Sequence, residues 1–295
     1  MQKEKTVFYK SALAASALFV TGNAIIVLPT NESYPILGFL LTAVIGVILN
    51  LLLMPLSRFV WDENNNNNTF LKILKELFFL SLAIAALFAA ADTLKDFVHF
   101  VKGFILPEIP IFVISVTFSV IIAYFYSKRQ EDTLKFSLLC FFFTLLAVLF
   151  FFFSMSGNFD VQNIIIRSLP DIRELKDSIS PYFFKATLPS LLLPFYHTAV
   201  FGKRGGSACV LGTAAGYIIL CLCLLPAILL FSAPLAGKLS YPYASAISTV
   251  TVGKIFTRLD GFSYFLYFSA SLAKINISLF VVKKAVNRIS ELLDS

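Results

Sequence analysis

Two irregular stretches and one lysine carry most of the chemistry open to this chain. Lys274 stands alone among the charged residues of an apolar run, SASLAKINISLF, with Asn276 two residues on. An amine inside a membrane-length segment is costly and is commonly kept for function. Lys274 can replace a bound cation or carry a coupling proton, which makes it and Asn276 candidates for coupling or gating. The competing use is snorkelling toward an interface roughly 12 Å away along a helix. Gly22, Asn23 and Ala24 sit in TGNAIIVLPT, ahead of Pro29, and Pro189 and Pro194 interrupt KATLPSLLLPFYHTAVF, with Tyr196 just after. Glycine tolerates irregular backbone and proline removes a donor. Such backbone survives at membrane depth only where protein or a watery cavity covers it. Two interrupted helices can present amides to a carboxylate and carbonyls to a cation or ammonium group. Gly22, Asn23, Ala24, Pro189, Pro194 and Tyr196 are therefore candidate substrate-binding residues. The plainer alternative is a pair of ordinary proline kinks.

Other polar residues in apolar surroundings suggest less. His197 reads as a satisfied interfacial histidine before a proton carrier. Asn50 reads as a hydrogen-bonding residue between helices before a ligand contact. Asp92 reads as the end of a helix.

Positioning these groups takes helices of bilayer length, about 20 apolar residues each. Eight apolar stretches qualify, at about 8–29, 35–57, 73–92, 109–126, 134–155, 185–201, 207–232 and 262–282. Composition agrees, with 58% hydrophobic and 14% charged residues against about 25% charged in soluble domains. The expected fold is an all-α integral membrane protein with about eight transmembrane helices in a single membrane domain, 1–295. If spans 1 and 6 correspond, the chain has a repeat of five spans: a first repeat at about 8–155 and a partial second at about 185–284. Between spans, WDENNNNNTF at 61–70 reads as a flexible loop. DTLKDFVHFVKGF reads as a short amphipathic piece after a span that closes at Asp92. LPDIRELKDSISPYF reads as a surface helix bounded by Pro170 and Pro181. From Tyr243 an amphipathic helix lies at the interface or folds back into the protein.

Most of the 24 Lys and Arg residues fall at the N-terminus, in every second loop and in the tail. By the positive-inside rule both termini are cytoplasmic. Basic loops on one face explain the net charge of +7, so nucleic acid is not an expected partner; the lipid bilayer is. The four cysteines lie in apolar runs with no CxxC pair and no metal-ligand spacing. No Walker loop, HExxH or GxSxG is present, and FGKRGG lacks the strand of a phosphate loop. An enzyme is not expected, nor a cofactor or metal.

GNAIIVLP near the start resembles the first helix of the spore germination permease family, the B subunits of germinant receptors. The segment SYPYASAISTVTVGKIFTRLDGFSYFLYFSASLAKINISLF resembles the family more closely. Its carriers are Tyr241–Pro242, Val252–Gly253, Arg258–Leu259–Asp260 and the KIS-like stretch Lys274–Ile275–Asn276–Ile277–Ser278. The resemblance implies the amino acid/polyamine/organocation transporter fold, built from paired five-helix inverted repeats. It also implies a site for a small, amino acid-like molecule between helices 1, 3, 6 and 8. Receptor A and C subunits are the implied partners, and the inner membrane of the spore or the bacterial cell membrane is the implied location. The family usually has ten spans, so the second repeat is incomplete here; the two missing helices are peripheral to the implied bundle.

Three functions follow as expectations. The first is a ligand-sensing, permease-like receptor subunit that helps to trigger germination. The second is a proton- or sodium-coupled secondary transporter of amino acids or related solutes. The third is a structural or assembly subunit without a ligand.

Overall fold

A computed structural model describes residues 2–26, 35–61, 69–128, 130–164, 171–202, 205–249 and 260–294, all helical or irregular. The five asparagines, Pro29, Val252–Gly253 and Arg258–Leu259 lie outside the described residues. In chain order the helices are α1 (Gln2–Thr21), α2 (Pro35–Trp61), α3 (Thr69–Phe100), α4 (Ile111–Ser127) and α5 (Gln130–Met155). They continue with α6 (Ile172–Tyr182), α7 (Leu188–Ser190), α8 (Leu193–Phe201), α9 (Gly206–Phe231), α10 (Ala233–Ala236), α11 (Pro242–Ser248) and α12 (Asp260–Asp294).

Five helical stretches among the described residues are long and apolar enough to cross a membrane: Pro35–Trp61, Lys72–Ile105, Glu131–Asn158, Gly206–Phe231 and Tyr264–Glu291. Ile111–Ser127 is apolar but shorter. The first expected span carries several charges in the early turns of α1, and the sixth is divided among short helices.

The pattern of burial is that of a protein whose solvent is lipid. On α2, Gly38, Thr42, Gly46, Asn50, Met54 and Ser57 face inward, about one turn apart, while Leu40, Val44, Ile48, Leu51 and Leu52 point out. Lipid gives apolar side chains no reason to hide, so small and polar residues take the helix interfaces instead. Close approach follows. A Cβ on Gly212 would come 2.5 Å from the Ser16 Cβ and 2.6 Å from the Leu13 carbonyl oxygen. One on Gly216 would come 2.7 Å from the Val20 Cβ and 2.8 Å from the Ala17 carbonyl oxygen. This glycine pair, four residues apart, seats α9 directly on α1.

α12 lies in the middle of the bundle, against α3, α1 and α5. Its deep placement explains why Ser271, Lys274, Asn276 and Ser278 are all buried.

Two loop expectations change, and a third resolves to one of its two alternatives. The segment after Asp92 is no separate piece: α3 runs on to Phe100 and widens into a π turn at Val101–Ile105. No glycine or proline interrupts the chain between Asp92 and Lys102, so nothing stops the helix. Pro181 does not end α6, which closes at Tyr182 and leads into a second π turn, Phe183–Thr187. A proline deprives the preceding turn of one donor, and a widened turn accommodates the mismatch. The start of α6 is as expected: Asp171 Oδ1 accepts from the Ile172 amide at 2.7 Å and Glu174 Oε2 from the Asp171 amide at 3.1 Å, closing a capping box. α11, finally, is folded back into the protein, with Tyr243, Ala244, Ala246 and Ile247 buried.

Candidate functional site

The first expected span stops being α-helical at Thr21. Gly22 follows, then a single 3₁₀ turn, Asn23–Ile25. That turn packs against α3, α9, α12 and the π turn at Phe183–Thr187. Gly22 has a steric reason to be glycine: a Cβ there would overlap the aliphatic stem of Lys274. Ala24 is buried beside it, 5% exposed. The Asn23 side chain lies outside the described residues.

The sixth expected span is broken as its prolines suggest. After the π turn come α7 and α8, separated at Leu191–Leu192. Pro189 and Pro194 each sit in the first turn of a short helix, where a missing N–H costs least. The break is held from outside the segment. Asn50 of α2 donates from Nδ2 to Ser190 Oγ at 3.0 Å, and Ser190 Oγ donates to the Thr187 carbonyl at 2.7 Å. Thr187 Oγ1 and the Tyr217 hydroxyl of α9 lie 2.6 Å apart. The interhelical role expected of Asn50 is thus the geometry found.

At this break the structure assembles a charged cluster. Lys185 Nζ, from the π turn, donates to Asp92 Oδ1 and Oδ2 at 2.9 and 3.0 Å and to Asp96 Oδ2 at 2.7 Å. The two carboxylates are one turn apart on α3, so both reach one ammonium. Lys274 completes the group. Its Nζ donates to the Lys185 carbonyl at 3.1 Å and stands 5.7 Å from the centroid of the Phe19 ring. Lys274 is 1% exposed, so it does not snorkel to an interface. A cavity of about 620 Å³ adjoins the cluster, walled mainly by apolar residues of α2, α3 and the broken span. Asp92, Lys185 and Pro189 are on its wall.

The predicted residues do not form one pocket. Gly22, Ala24 and Lys274 meet at the first break and Pro189 lines the cavity at the second. Pro194 is buried in α8, its carbonyl accepting from Thr198 Oγ1 at 2.8 Å. Tyr196 and Asn276 line a different cavity, toward the far end of α12. The reason is rotation: residues two apart on a helix point about 200° from each other, so Lys274 and Asn276 face opposite ways. His197 is fully buried rather than interfacial, with Nε2 2.5 Å from Ser16 Oγ and its ring stacked on Phe201. Lys185, Asp92 and Asp96 are the group that local reading passes over. The signal available was the four-residue spacing of the two aspartates on one helix.

The sequence model of a family described as Spore germination protein matches residues 12–293 of this chain. No curated protein matches it.

Proposed function

Because this chain belongs to the spore germination protein family, we propose that it is a permease-like membrane subunit of a spore germinant receptor that senses a small zwitterion of the amino-acid class. The observation that carries this reading is the bridge from Lys185 to Asp92 and Asp96 at the broken span. An amino acid presents an ammonium and a carboxylate a few ångströms apart. Its ammonium takes the place of Lys185 on the aspartates, and its carboxylate takes the freed lysine. An internal ion pair exchanged for a ligand-bridged one moves the π turn of Phe183–Thr187, and through Asn50 and Tyr217 it moves α2 and α9. Lys274 takes the part of a bound cation, and it fixes the Lys185 carbonyl during the exchange. The mainly apolar cavity receives the ligand side chain.

The proposal includes the amino acid/polyamine/organocation arrangement, with spans 1 and 6 as the paired broken helices of two inverted repeats. It also includes a place in the inner membrane of the spore, beside receptor A and C subunits. The decisive experiment is germination of spores lacking the gene across an amino-acid panel, with complementation by the unaltered gene, Asp96→Asn and Lys185→Gln. Loss of response to one amino acid, restored only by the unaltered gene, is the expected result. Normal responses to every amino acid would overturn it. Uptake of that amino acid into proteoliposomes, abolished by Lys274→Met, would instead make the protein a coupled transporter.

A further inference from the structure

The second cavity, about 340 Å³, opens where the C-terminal end of α4 and the start of α5 meet α12 between Asn276 and Asn287. Its lining mixes lysines with aromatic rings. Lys128, Lys283 and Lys284 contribute to it, together with Tyr126, Tyr196 and Phe280. None of the described residues that line it is acidic; Glu131 and Asp132, on the first turn of α5, are not part of the wall. The lysines rest on rings. Lys128 Nζ lies 4.5 Å from the Tyr124 centroid, Lys283 Nζ 5.5 Å from that of Tyr126 and Lys284 Nζ 5.8 Å from that of Phe280. A ring attracts an ammonium but accepts few of its hydrogens, so the donors remain available.

Asn276 makes this more than a basic patch. It lines the cavity and is 6% exposed, and neither its Nδ2 nor its Oδ1 has a hydrogen-bond partner. A buried amide with both ends unsatisfied is rare in native proteins and points to something that supplies the partners. A phosphate group with acceptor oxygens and one hydroxyl does so: its oxygens accept from Nδ2 and its hydroxyl donates to Oδ1. It takes N–H donation from the amide and from the lysines together, and the space suits a small ligand.

We propose that this cavity binds a phosphate-bearing anion. Lys283 and Lys284 neutralise it, the Asn276 amide donates to it and Tyr126 and Phe280 flank it. The site is separate from the Lys185 cluster, since Asn276 and Lys274 face opposite sides of α12, and it does not depend on germinant sensing. The phosphate comes either from a soluble compound or from the head group of an anionic lipid in the adjoining leaflet.

The test uses the full chain, purified in detergent and in nanodiscs of neutral phosphatidylcholine or of a mixture with phosphatidylglycerol. Its readout is the midpoint of thermal unfolding. Inorganic phosphate raising the midpoint saturably, where chloride of equal ionic strength does not, supports the soluble source. A rise only in phosphatidylglycerol discs supports the lipid. In either case Lys283→Gln/Lys284→Gln is expected to weaken the half-saturating concentration at least 10-fold. Asn276→Asp, which keeps the shape and repels an anion, removes the response and stands in if the double variant does not fold. No midpoint change with either source, or the same change in Asn276→Asp, overturns the proposal.

Discussion

Lys185 holds two carboxylates with one ammonium, and they are unequal. Asp96 is the closer at 2.7 Å, with its side chain 14% exposed; Asp92 lies at 2.9 Å, 44% exposed. Exposure decides the weight of each. A charge-assisted hydrogen bond in a sheltered place contributes about 1.5–3 kcal/mol, whereas an exposed pair contributes about 0–1 kcal/mol. Asp96→Asn is therefore expected to lower the midpoint of thermal unfolding in detergent, and Asp92→Asn to leave it nearly unchanged. Equal effects would mean that the cluster acts as a unit. Lys274→Met is a different perturbation, because it removes a donor from the Lys185 carbonyl and leaves both carboxylates paired. Gly22→Leu attacks the same spot by volume, since any side chain there collides with the Lys274 stem.

At the scale of elements, the close approach of α9 to α1 rests on Gly212 and Gly216. Side chains placed there meet backbone carbonyls, which cannot rotate away as flexible side chains do. Gly216→Val is expected to cost about 1–3 kcal/mol, the usual range for overpacking, and to be read as a lower unfolding midpoint. Gly157, with open space around it, tolerates valine by the same measurement. The elements also show what one sequence can disclose. Glycine and proline act locally, so the breaks at Gly22 and at Pro189 and Pro194 can be read from a few residues. Lys274 shows because it is a lone charge in an apolar run. The bridge from Lys185 to Asp92 and Asp96 does not show, because it joins residues 93 and 89 positions apart across two helices. Lys185 alone reads as the edge of a span and Asp92 as the end of a helix. Helix orientation is equally silent: the two-residue step from Lys274 to Asn276 places them in different cavities, and only packing says which.

For the whole molecule, the two cavities divide the bundle. One adjoins the helix breaks; the other lies at the end where α4 meets α5 and where the last third of α12 gathers Lys283, Lys284 and Arg288. Since the α4–α5 turn and the late turns of α12 border one cavity, they must emerge on the same side of the membrane. That side carries the excess of basic residues, and we propose from the positive-inside rule that it is the cytoplasmic one. A fluorescent reporter fused after Ser295 is accordingly expected to mature, and a phosphatase fused there to be inactive. A single cysteine placed at Ser127, in a background lacking the four native cysteines, is expected to react with an impermeant thiol reagent in inside-out vesicles and not in right-side-out ones. A tail and an α4–α5 turn labelled from opposite sides would break the shared cavity and with it the arrangement of α4, α5 and α12.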